Sequence, residues 1–182
     1  MDFTFQKSGN CNGQKKEKNA WQLAEKQKTL RRVETVDLEE VLNRAWDHHE
    51  IIAGSRKLAL EKRVRDHVKI AGDPLLLELA AGNLIQNAIE FAPEGSRITL
   101  TLSRTHGRAA IDVEDQGPGL PDFALGRVFE RFYSLPRPDT GRKSSGLGLC
   151  FVREIALLHG GDVSVQNRVP GPGAVASLYL AL

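Results

Sequence analysis

Two asparagines four residues apart, Asn83 and Asn87, lie within Asn83-Leu84-Ile85-Gln86-Asn87-Ala88-Ile89-Glu90-Phe91. On a helix that spacing puts both amides on one face. Amide oxygens suit a hard cation such as Mg2+, which keeps several waters and is shared with phosphate. Most helical asparagines simply face solvent, so the pair gains meaning from three further clusters. Asp115-Gln116-Gly117-Pro118-Gly119 offers a carboxylate that can accept from an exocyclic amine, and Gly117 and Gly119 let backbone approach a flat base closely. Phe129-Glu130-Arg131-Phe132-Tyr133 puts three aromatics into a polar stretch, apolar area that must pack either into the core or as the anchor of a lid. Arg142-Lys143-Ser144-Ser145-Gly146-Leu147-Gly148-Leu149 gathers cations, hydroxyls and glycines at a predicted helix start, where exposed backbone N–H groups hold anions. The spacing is neither that of a Walker A loop nor Gly-x-Gly-x-x-Gly, so both of those nucleotide folds are excluded.

These groups can act together only if regular elements hold them. Asp73 and Pro74 supply an N-cap and a first-turn residue, predicting the strongest helix of the chain over 74–91. Leu79, Leu84, Ile85, Ala88 and Ile89 would be its buried surface, and Pro93, Glu94 and Gly95 end it. Upstream, 33–36 alternates like a short strand. Asp37 then caps a helix to about residue 55 that turns Leu38, Val41, Leu42, Ala45, Trp46 and Ile52 inward. Strands are expected over 57–64 and 67–70. Downstream, period-two runs over 97–103 and 109–114 flank Thr105-His106-Gly107-Arg108 and read as a hairpin, with Asp115 directly after its second strand. Residues 116–146 form a loop of about 30 residues, a length that inside a compact domain points to function. A last helix over 147–159 stops at Gly160-Gly161, and strands over 162–167 and 174–180 close the chain.

Composition sets the limits around this frame. With 182 residues, 41% hydrophobic and 26% charged, the chain suits one globular domain with a short appendage. Residues 1–19 read as disordered or extraneous, 20–32 as helical, and 33–182 as the domain. No signal peptide or membrane span is expected, and two cysteines without ligand spacing, Cys11 and Cys150, fit a reducing cytoplasm. The net charge of +2 hides a basic arm, with eight Lys and Arg against three acids in residues 1–32. Lacking aromatic interleaving or a groove-reading motif, the arm reads as a solvated face rather than a nucleic-acid site.

In this order, the four clusters resemble the N, G1, F and G2 boxes of the ATP-binding domain of sensor histidine kinases, within the family shared with gyrase, Hsp90 and MutL. The resemblance spans about 33–182, and the stretch 129–149 looks most like CreC-type kinases. It implies an α+β fold of the Bergerat type: a two-layer sandwich of one mixed sheet of about five strands, three helices on one face, and a long ATP lid. It also implies that Asn87 ligates Mg2+ with Asn83 beside the phosphates, that Asp115 accepts the adenine amine, and that Gly117 and Gly119 shape the base pocket. Gly146, Leu147 and Gly148 would wrap the phosphates, with Lys143, Arg142 and Arg131 as phosphate-facing cations.

Two positions depart from the family pattern. Glu90 stands where a Lys or His commonly helps hold phosphate, and an acid there repels phosphate unless it is paired. Asn83 stands where the ATPase relatives carry a glutamate that activates water. An amide is no general base, so transfer to a protein nucleophile is favoured over hydrolysis. None of His48, His49, His67, His106 and His159 has the setting of a phosphorylated histidine, and His159 reads as a helix C-terminal residue facing the dipole. The expected partners are therefore a histidine-bearing dimerisation domain, of which 20–32 would be the tail, and a response regulator downstream. The chain by itself is expected to be a catalytic fragment and mostly monomeric.

Overall fold

A computed structural model describes residues 33–182. The arm, Cys11 and the expected helical tail over 20–32 lie outside the described residues. β1 (Glu34–Asp37) leads directly into α1 (Leu38–Asp47), which Asp37 caps by accepting from the Glu39 N–H at 3.0 Å. Leu38, Val41, Leu42 and Ala45 form its buried stripe.

The helix expected to continue to residue 55 breaks at His48-His49. The His49 N–H turns back to the Trp46 carbonyl at 2.7 Å, and its Nδ1 bonds the Ala45 carbonyl at the same distance. A separate short α2 (Glu50–Ser55) follows, rotated so that Ile52 is 54% exposed rather than buried. Lys57, at φ +54°, makes the turn into β2 (Ala59–Val64), which therefore starts two residues later than expected. β3 (Lys69–Gly72) likewise begins beyond His67, and it pairs with β1 in a small separate ladder rather than joining the main sheet.

α3 (Pro74–Phe91) has the predicted bounds, and Asp73 Oδ1 accepts from the N–H groups of Leu75 and Leu76. It packs between α1 and α5 (Gly148–Leu158), so Leu77, Ala80, Ala81, Leu84, Ile85, Ala88 and Ile89 are all buried. Each fully buried Leu or Ile there contributes roughly 1.5–3 kcal/mol of transfer free energy. β4 (Arg97–Thr105) and β5 (Arg108–Glu114) form the expected hairpin, with both central residues at positive φ, His106 +48° and Gly107 +75°. That is the turn whose twist matches the strands.

β6 (Asp162–Asn167) and β7 (Ala174–Ala181) complete a five-stranded sheet of order β2-β4-β5-β7-β6. Only β2 and β4 run parallel, and the crossover between them contains α3. The sheet is thus mixed, with α1, α3 and α5 layered on one face, the architecture expected. Alternation along β4 turns Ile98, Leu100 and Leu102 into the core and Thr99 and Thr101 to the opposite face.

His159 closes α5 in a way the sequence understated. Its Nδ1 donates to the Ile155 carbonyl at 2.8 Å while its Nε2 accepts from the Asp73 N–H at 3.0 Å. A ring nitrogen that accepts cannot carry a proton, so these two bonds assign a neutral imidazole. It staples the end of α5 to the start of α3 and is not a charge facing the dipole. Among the described residues no helix is long and apolar enough to cross a membrane.

Candidate nucleotide site

The segment 116–146 is more ordered than a plain loop. One turn of helix, α4 (Asp122–Leu125), is followed by a hairpin-like ladder. The Phe132 N–H donates to Gly146 O at 2.9 Å, the Ser144 N–H to Ser134 Oγ at 3.0 Å, and the Arg137 N–H to Arg142 O at 2.9 Å. The Gly141 N–H closes the tip on Arg137 O. Phe129 packs against the core and Tyr133 takes the Arg127 guanidinium over its ring at 4.5 Å, whereas Phe132 stays 75% exposed. The aromatic cluster therefore does both of the jobs foreseen for it: one ring joins the core and another anchors the ladder.

Between this ladder and α3 lies a cleft holding about 850 Å³ of space, part of it open to solvent. α3 contributes Leu84, Asn87, Ala88 and Phe91 to its walls; the ladder contributes Tyr133, Ser134, Leu135, Ser144 and Gly146. Val113, Asp115, Gly119, Gly148 and Leu149 complete it with the ends of β6 and β7. The lining, apolar with a few fixed polar groups, matches that of a small-molecule site.

Asp115 is buried at the cleft wall. Its Oδ1 accepts from the Gly117 N–H at 2.7 Å and the Ala174 N–H at 3.3 Å, while among the described residues no donor reaches Oδ2. Burial pushes its carboxyl above the usual carboxylate range, against the opposing pull of the two N–H groups and the Arg168 charge. One oxygen is thus locked and the other left for a ligand donor. Gly117 supports this from behind: a Cβ there would lie 2.6 Å from the Phe91 carbonyl oxygen. Gly119 has φ +76°.

The Asn87 amide reaches the cleft with its Nδ2 buried and unpartnered. An orphaned buried amide is costly unless something completes it. Among the described residues no cluster of three His, Cys, Asp or Glu side chains could cage a metal. The orphaned Nδ2 is a donor and calls for an acceptor such as a phosphate or water oxygen; the oxygen of the same amide is a group that suits a divalent cation drawing its remaining ligands from phosphate and water.

Asn83 does not reach the cleft wall. Its Nδ2 donates to the Leu79 carbonyl at 2.9 Å, and its Oδ1 packs against Gly148, where a Cβ would come within 2.9 Å. α5 starts at Gly148, one residue later than expected. Leu147 occupies the N-cap with no side-chain cap, so the first-turn N–H groups beside Gly146 and Gly148 stay available to an anion. Arg142 and Lys143 are exposed on the return strand of the ladder, and Arg131 also lies outside the cleft walls.

Sequence reasoning missed two groups, Asn167 and the Arg137 that pairs Glu90. Asn167 at the end of β6 clamps the Leu120 backbone, accepting from its N–H at 2.6 Å and donating to its carbonyl at 2.9 Å, which fixes the loop after Gly119. The only signal for it was an amide at a strand end. Glu90, whose role the sequence left open, accepts from Gln86 Nε2 at 3.0 Å and from Arg137 Nη2 at 2.5 Å, so the acid is paired.

Residues 72–182 match the family model of histidine kinase-, DNA gyrase B- and HSP90-like ATPases. The sensor protein CreC of Escherichia coli K12 is 44% identical over 145 residues, covering 80% of this chain and 30% of that protein. The sensor-like histidine kinase SenX3 of Mycobacterium tuberculosis is 32% identical over 149 residues, covering 80% of this chain and 35% of that one. The chain thus spans about a third of the length of these curated relatives. Among solved structures, the mycobacterial sensor histidine kinase MprB superposes with a TM-score of 0.70 at 32% identity, covering 82% of this chain and 97% of that one. With Asn87, Asp115, Gly119, Gly146 and Gly148 lining one cleft and residues 72–182 matched by the family model, the chain belongs to the family of histidine kinase-, DNA gyrase B- and HSP90-like ATPases.

Proposed function

We propose that the chain is the ATP-binding catalytic domain of a two-component sensor histidine kinase, handing the γ-phosphoryl group to a histidine on a dimerisation domain to which 20–32 belongs. A response regulator then receives it. The observation that carries this reading is the convergence of Asn87, Asp115, Gly119, Gly146 and Gly148, from three separate stretches of sequence, on one cleft. The sensor kinases it resembles over 80% of its length support the choice within the family.

In this reading Asp115 Oδ2 accepts the adenine amine, and Gly117 and Gly119 keep the wall flat against the ring. Gly146, Leu147 and Gly148 leave backbone N–H groups at the start of α5 for the phosphates, and Arg142 and Lys143 swing in from the lid to offset charge. Arg131 is a further cation on the same side. Asn87 would hold Mg2+, which neutralises charge on the phosphates. Asn83 orients the α5 start through Gly148 and, being an amide, offers no base to activate water. Catalysis is then positioning and electrostatics, the pattern of phosphoryl transfer, with the proton leaving the acceptor histidine to a group on its own domain.

The test is a label-tracing assay with γ-labelled Mg-ATP and a separately supplied dimerisation domain of the parent kinase. Acid-labile, base-stable label on that domain, absent with Asn87→Ala, is the expected result. Free phosphate released by this chain alone would overturn the reading in favour of an ATPase.

A further inference from the structure

Two charged side chains, Glu90 and Arg137, take no part in the chemistry above, yet they connect the two walls of the cleft. Glu90 lies between Asn87 and Phe91, both wall residues on α3, and Arg137 lies two residues beyond the wall residue Leu135 on the lid. Their contact, Arg137 Nη2 to Glu90 Oε1, is 2.5 Å long, and the side chains are only 28% and 16% exposed. This is not the solvated surface pair whose contribution vanishes in water. Gln86 Nε2 holds the same carboxylate oxygen from one turn back along α3.

A second contact lies at the same tip. Asp139 pairs with Arg56, and Arg56 also donates to the carbonyls of Ile89 and Ala92, the latter at 2.9 Å, at the end of α3. The lid tip is therefore fastened at two points to the last turn of the helix that forms the opposite wall. The ladder from 132 to 146 is internally hydrogen-bonded, so the two fastenings at its tip bear on the whole of it. The cleft cannot widen without parting Glu90 from Arg137. The contact also leaves Arg137 Nε buried without a partner, a cost that offsets part of the gain and keeps the fastening releasable.

We infer that the Glu90–Arg137 pair is a strap that holds the lid across the cleft and sets the rate at which nucleotide enters and leaves. Both are positioning residues: they act through the lid and need not touch the nucleotide. The proposal rests on the nucleotide reading of the cleft for its kinetic half, but not for the strap itself. It also gives the acid at position 90 a purpose, since its charge is spent on the lid and is not left facing phosphate.

The test has two arms. In the nucleotide-free chain, trypsin cleavage at Arg142 and Lys143, whose side chains are exposed but whose backbone the fastened ladder holds, is followed by mass spectrometry and reads loosening of the lid. Glu90→Gln is expected to speed that cleavage about tenfold while cleavage elsewhere stays constant. In stopped flow with a fluorescent ATP analogue, the same variant is expected to raise the dissociation rate by about the same factor. The charge-swapped double variant, Glu90→Arg with Arg137→Glu, should bring both rates back toward wild type, a rescue that general destabilisation would not give. Equal cleavage and dissociation rates in Glu90→Gln and wild type would overturn the strap, as would a double variant no better than its single parents. A wild-type chain that binds no nucleotide would instead defeat the proposed function and the kinetic half of this inference, while the digestion still decides whether the pair holds the lid.

Discussion

Asp115→Asn separates binding from folding in a way that tests the site directly. Asp115 Oδ1 is fixed by the Gly117 and Ala174 N–H groups, and an asparagine oxygen can keep both bonds. The change falls on Oδ2, where a charged acceptor becomes an N–H donor facing the adenine amine. Loss of one hydrogen bond to a charged group is worth about 1.5–3 kcal/mol, so ATP affinity should fall about 10- to 100-fold. Stability should move the other way. Burial raises the Asp115 pKa above its ordinary value, so the native state binds this proton more tightly than the unfolded chain does. Stability associated with this group therefore decreases as pH rises through the window above the normal carboxylate range, and at neutral pH the ionised group costs stability. Removing it should leave the melting temperature unchanged or higher at neutral pH. Titration calorimetry with ATP and a melting curve on the same sample check both halves. Full ATP affinity in the variant would refute the assignment of Asp115 to the base. A large drop in melting temperature would refute the account of its burial.

Three further outcomes follow from individual contacts. Asn87→Ala should abolish the Mg2+ dependence of ATP affinity while leaving adenosine affinity near wild type, as read by titration with and without the ion. Gly146→Ala places a Cβ 2.5 Å from the Phe132 carbonyl carbon at φ +68°; left-handed strain alone is about 1–2 kcal/mol. The lid should therefore detach and ATP affinity drop at least about tenfold, with the core melting temperature little changed. His159→Phe keeps an aromatic ring but strands the buried Asp73 N–H, so a urea unfolding curve should show a loss of about 1–3 kcal/mol, with ATP affinity retained.

Local chemistry made much of this protein legible from its residues alone. Asp73 and Pro74 fixed the start of α3, and period-two alternation marked β4 and β5 with Gly107 in their turn, while the resemblance singled out Asn87, Asp115, Gly119, Gly146 and Gly148, which line one cleft. These signals depend on a residue and its near neighbours, through capping, side-chain periodicity and backbone freedom. What the tertiary structure decided were pairings between distant stretches. Residues 33–55 gave no sign that α1 would break at His48-His49 and turn Ile52 outward, because that depends on where the Asp37-capped helix meets the sheet layer. Nor did spacing show that β3 would pair with β1 instead of the main sheet, since strand partners are chosen by which edges packing leaves open. The same limit applied to the charges. Glu90 looked like a liability to phosphate as long as only its own helix was in view; its partner Arg137 stands 47 residues away in sequence. An ion pair of that separation is written in no local pattern, and it exists because the lid folds back across α3.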